Sequence, residues 1–140
     1  MTQNVEALFE KGLERYQAGE PVSDLIPVFQ EVCELAPKSG PAFTCLAWLY
    51  LLENRPTAAY KTAQRAVKLN PQDPQARVNL AVAMLETSKK GVREHIDIAA
   101  QVLAASAELR NETQASIEEG LSRNPDWKSL SRVQQWLFAG

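Results

Sequence analysis

His95 is the only histidine in the 140-residue chain, and so the first residue to test for acid–base or metal chemistry. No cysteine or second histidine stands near it at the spacing a metal site needs. It therefore reads as an ordinary surface or boundary residue. Glu118 and Glu119 are paired carboxylates in sequence only, and the acids of the first helical stretch have the spacing of a solvated helix face. Cys33 and Cys45 fall inside helical patterns, the usual setting of buried, reduced thiols rather than of a disulfide framework. There is no glycine-rich phosphate loop, CxxC, HExxH or GxSxG. The expectation is a protein that is not an enzyme and needs no cofactor or metal.

Two basic groups remain. Lys61, Arg65 and Lys68 recur on one side of a helical stretch and could meet an acidic partner. Lys89, Lys90 and Arg93 form a small cationic knob that could contact a partner or phosphate groups. Both read first as solubilising surface.

The bulk numbers bound the answer further. Apolar residues at 45% and charged residues at 23% are enough for a folded core in one domain. A net charge of −2, from 15 basic and 17 acidic residues, speaks against nucleic acid as the partner, because phosphate binding needs a cationic excess. The longest apolar run is the eight residues 45–52, and a bilayer span needs about 20. The N-terminus, MTQNVEALFEKG, carries an early acid and shows no secretory signal. A cytoplasmic, soluble protein is expected, with no membrane insertion.

The elements that position these residues come from a repeat. Leu35-x-Pro37 and Leu69-x-Pro71 lie 34 residues apart. Between them stand Phe43-x2-Leu46-Ala47-x2-Tyr50, then Ala59-x3-Ala63-x2-Ala66, then Pro71. This resembles the tetratricopeptide repeat, with Ala47 for the usual Gly and Ala63 for the usual Phe. The spacing predicts helices over 42–53 and 57–69, with Pro56 ending the first and Thr57 capping the second. A step of 34 backward lands on Phe9, Gly12, Leu13, Tyr16, Leu25, Phe29, Val32 and Pro37, with Ser23 as the cap of the second helix. There Gly and Leu are transposed, and Leu25 replaces Ala.

A step of 34 forward gives Arg77, Leu80, Ala81 and Met84, a helix over 75–88. The alanine spacing then returns seven residues late, at Ala100, Ala104 and Ala107. This predicts a lengthened turn over 87–92 and a helix over 93–110. Asn111 with Gln114 signals a further helix over 112–122, and a single unbroken helix from 93 to 122 competes with it. Trp127, Leu130, Val133, Trp136 and Leu137 line one face of a last helix over 127–138.

The fold class implied is all-α: a right-handed superhelical solenoid of about three helical hairpins with a C-terminal capping helix. Repeat 1 covers about 4–37, repeat 2 about 40–73, an irregular repeat 3 about 74–110, and the C-terminal helices about 112–138. The style is similar to that of small bacterial adaptor and assembly proteins, cyanobacterial ones among them.

In that family the first helix of each hairpin lines a concave groove. Here this implies Lys11 and Glu14, then Thr44, Cys45, Trp48, Leu51 and Leu52, then Val78, Asn79, Val82, Leu85 and Glu86. The middle of such a groove is apolar. Leaving Trp48, Leu51 and Leu52 in water would forgo about 1.5–3 kcal/mol for each. A partner segment, the chain's own C-terminal helix with Trp127, Val133 and Trp136 as plugs, or a second copy could cover them. Asn79 either bonds a bound backbone or ties two helices together.

Cys45, Gln75 and Asn79 replace the polar and basic residues with which chaperone-binding members grip a terminal carboxylate. The resemblance thus implies binding of an internal apolar or amphipathic segment of another protein. Trp48, Leu51, Val82 and Leu85 would supply energy, and Lys11, Glu14 and Glu86 specificity. A self-occupied subunit or homo-oligomer is the alternative, and an RNA-binding helical repeat the distant one.

Overall fold

The structure is a computed structural model, and residues 4–138 are described. Eight helices follow one another: α1 (Val5–Gln17), α2 (Val22–Leu35), α3 (Gly40–Leu52), α4 (Pro56–Leu69), α5 (Pro74–Glu86), α6 (Val92–Ala105), α7 (Ala107–Arg123) and α8 (Lys128–Phe138). Among the described residues there is no strand, and no helix is long and apolar enough to cross a membrane.

The odd-numbered helices share one kind of start. Asn4, Ser39, Asp73 and Ser106 each accept a backbone N–H from the first turn of α1, α3, α5 and α7. The starts of α2, α4 and α6 have no side-chain cap. The predicted caps Ser23 and Thr57 are instead the second residues of their helices. Pro56 opens α4 rather than closing α3, since a fixed φ and a missing N–H cost nothing at a first position.

The turn of the second hairpin is residues 53–55, with Asn54 at φ 56; 34 residues later Ser88 has φ 57. The third turn, residues 87–91, is therefore two residues longer, and ends one residue before the expected 87–92. Gly91, at φ 96, takes the extra left-handed step that a side chain would resist.

Most repeat positions pack as their spacing implies. Ala47, Ala59, Ala63 and Ala66 are fully buried, so backbones approach closely there. In the first hairpin Phe29 is 1% exposed and meets Phe9 edge-on at 5.8 Å. A Cβ on Gly12 would stand 2.9 Å from the Phe29 ring, which explains the transposed Gly and Leu.

The third hairpin departs from the pattern. Its outer row is Ile96, Ala99 and Leu103, while Ala104 and Ala107 are exposed and Ala100 is half-buried. The alanine spacing on which the longer turn rested is therefore not the packing face. The chain breaks at Ser106, which is extended (φ −141, ψ 109) and caps α7 through Leu109 N–H. Residues 93–122 thus hold two helices, and Asn111 lies inside the second.

Helices α1 to α6 stack each on the next, and α3 also touches α5. The last hairpin does not continue the stack. Helix α8 packs on α5 and α6 as well as on α7. Helix α7 reaches back to α3 and α1, where Gly120 lies against Trp48 and Glu119 accepts from Tyr16. The terminal helices have turned into the concave face.

Candidate functional site: a half-filled groove

The concave face begins with α3, which is apolar on every side and buried along most of its length. What covers its far half is the chain itself. Trp127 stacks on Trp48, with ring centroids 5.6 Å apart and planes 28° from parallel. Trp127 Nε1 donates to the Glu86 carboxylate at 2.6 Å. A Cβ on Gly120 would lie 2.7 Å from Trp48 and 2.8 Å from Leu130, so only glycine lets α7 come this close.

Beneath this plug Leu51, Val78 and Val82 are buried, and Leu52, Leu85 and Glu86 are half-buried at its edge. Of the expected plugs, Trp127 and Val133 are buried but Trp136 is 45% exposed. It lies instead near Val92 and Ile96, at the start of α6.

Asn79 is spent on the scaffold. Its Nδ2 donates to the Thr44 carbonyl at 3.0 Å, and its Oδ1 accepts from Gln75 Nε2 at 2.8 Å. The residue is fully buried and joins α3 to α5, so it has no polar atom left to fix a partner's backbone. Thr44, also buried, donates to Asp73. Lys11 and Glu14 are exposed on α1.

The near half of the groove stays open. A cleft of about 360 Å³ lies between α1, α3, α5 and α7. Leu13, Phe29, Cys45, Trp48 and Leu49 form its apolar wall; Glu112, Ala115, Ser116 and Glu119 of α7 form the opposite side. One hydrogen-bonded chain crosses the inner end. Trp48 Nε1 donates to Tyr16 Oη at 2.9 Å, and Tyr16 donates to Glu119. Arg123 completes it, 4.8 Å above the Tyr16 ring and 3.4 Å from Glu119. Burial, and then the bond to Glu119, push the Tyr16 phenol up to about 12. Burial also pushes the Cys45 thiol up to about 12, which leaves it a poor nucleophile at neutral pH. The walls are suited to holding a group; Tyr16, Trp48 and Glu119 are hydrogen-bonded to one another, and Thr44 and Gln75 to Asp73 and Asn79.

No protein-family model matches the sequence. No curated protein matches it. Solved structures do. The fold is a tetratricopeptide-type helical solenoid. It is similar to the type III secretion translocator chaperone SycD of Yersinia enterocolitica, with a TM-score of 0.69 and 17% identity over 91% of this chain and 94% of that one. PcrH of Pseudomonas aeruginosa, solved with the chaperone binding region of PopD, gives 0.67 and 21% over 85% and 92%. The TPR2B domain of yeast Sti1, in a complex with pHsp70, gives 0.65 and 17% over 91% and 96%.

Sequence reasoning missed the α7 side of the cleft. The sequence marks Glu119 only as one of two neighbouring carboxylates and Tyr16 only as a repeat position. One signal was present: Gly120 inside a helical pattern, which marks a close approach of backbone to a neighbour.

Proposed function

We propose that the protein is a non-enzymatic, cytoplasmic adaptor or assembly factor that seats a short extended segment of another polypeptide in the cleft between α1, α3, α5 and α7. The observation that carries this reading is an apolar cleft left open beside a groove that is otherwise filled. Its 360 Å³ gives room for a few side chains. A helix about 10–12 Å across does not fit unless α7 moves. An extended segment with one or two apolar anchors does. The pairing of PcrH with a region of PopD, on a similar fold, supports binding of a partner's segment. The binding residues are then Leu13, Phe29, Cys45, Trp48 and Leu49, with Ala115 and Ser116 opposite.

Ala115→Trp tests this, because Ala115 is exposed, lines the cleft and supports no core packing. Wild type and variant are used side by side to capture partners from the native host's lysate, with circular dichroism as the fold control. A protein held by wild type and lost by Ala115→Trp supports the reading. Capture of the same set by both, or of nothing, sinks it. In that case the second reading, a structural subunit with a self-occupied groove, gains ground. The stack of Trp127 on Trp48 already favours that reading, and light scattering over a range of concentrations would follow its assembly.

A further inference from the structure

We infer that a depression on the opposite side of the solenoid, between α4 and α6, is an oxyanion pocket that takes a phosphate ester or a carboxylate carried by a partner. Its volume is about 500 Å³, with Val67 and Leu80 among its apolar lining and Gln64, Arg65, Lys68 and His95 as its polar groups. Arg65 and Lys68 can only donate.

The histidine is set to donate as well. Arg77 Nη1 lies 2.8 Å from His95 Nδ1. A guanidinium has no acceptor, so Nδ1 accepts and the ring proton sits on Nε2. His95, a lining residue of the depression, therefore carries a donor at Nε2.

The charge balance points the same way. Arg77 occupies the place that Phe43 holds one repeat earlier, and it is 8% exposed. Its Nε donates to the Pro71 carbonyl at 3.0 Å, which leaves the charge without a counter-ion. Among the described residues the ion pairs are Arg15–Glu20 and Arg123–Glu119, and none involves Arg65, Lys68 or Arg77. Glu94 is the acid whose charge reaches the imidazole, and it pairs with none of them. Arg65 and Lys68 line the depression without a counter-ion, and Arg77, outside the lining, reaches it through His95; cations so placed attract an anion, and a buried guanidinium gains most from one nearby.

The test titrates the isotope-labelled full chain with sodium phosphate and, separately, with sodium acetate, holding ionic strength constant with chloride. The His95 ring signals and the amides of residues 64–68 are followed by NMR. Saturation is expected, and the anion that saturates at lower concentration identifies phosphate or carboxylate as the group recognised. Arg65→Gln and Lys68→Gln should each weaken it by about tenfold. Arg65 also bonds the Pro37 carbonyl, whereas Lys68 has no bond to lose, so the Lys68 variant separates binding from fold. Linear, chloride-like shifts with both anions would overturn the assignment. So would unchanged saturation in Lys68→Gln. Neither result bears on the concave cleft.

Discussion

The two halves of the concave face are built from the same helices and have opposite fates. Near α1, the wall formed by Leu13, Phe29, Cys45 and Leu49 borders open space. Near α5, Leu51, Val78 and Val82 lie under α7 and α8. Trp48 stands at the border and serves both: one part of it lines the cleft and the other stacks on Trp127. Apolar content alone therefore does not mark a docking site. What separates the halves is whether a later part of the chain carries the group that fits, here Trp127 with a glycine one turn-end away at Gly120.

The largest blow to this division should come from Trp48→Ala. It removes a side chain that is 7% exposed, its stack and its bond to Tyr16, and should cost about 3–5 kcal/mol of stability by chemical denaturation. Little loss of stability, with partner binding gone, would return Trp48 to the role of a groove residue.

Gly120→Ala should come next, at about 1–3 kcal/mol, because the new methyl would overlap Trp48 and Leu130. It sharpens the comparison, since it lifts α7 from the filled half without touching the wall formed by Leu13 and Phe29. A wider cleft that binds a partner more weakly would show that α7 is half of the site.

The smallest effect is one of pH. Burial, and then the charge of Arg77, hold the His95 imidazole below its ordinary pKa. The folded state thus binds fewer protons than the unfolded chain. The stabilisation is complete above the unfolded pKa of about 6.5 and is lost as pH falls through the folded one. The melting temperature should fall on mild acidification, and His95→Gln should flatten that slope.

Helix identity was legible wherever the 34-residue spacing ran true. Phe29, Leu46, Ala59, Ala63 and Ala66 are buried as that spacing implies, and Asn54 and Ser88 repeat one turn geometry. The spacing failed where local and long-range demands parted. Ala100, Ala104 and Ala107 imitate the outer-helix pattern, yet Ile96, Ala99 and Leu103 face inward, because burial favours the larger side chains. Ser106 was a cap in plain view, hidden by the absence of Gly or Pro around it.

The site was half legible. An all-apolar α3 announced that something covers it, but periodicity within one helix cannot say which distant segment does. That depended on pairs such as Tyr16 with Glu119, 103 residues apart. Asn79 shows the converse: its position suited a ligand, and only the carbonyl of Thr44 revealed that the scaffold had claimed it.

The stacked pair of indoles also makes the molecule its own reporter. Two indoles 5.6 Å apart and nearly parallel couple their electronic transitions, giving a paired circular-dichroism band that neither ring has alone. Of the three tryptophans, Trp136 stands apart in partial contact with solvent, so the band belongs to Trp48 and Trp127. Its loss marks the moment the terminal hairpin leaves the groove, whether by heat, by mutation or by an arriving segment. The occupancy of the filled half can therefore be followed optically, with no label attached.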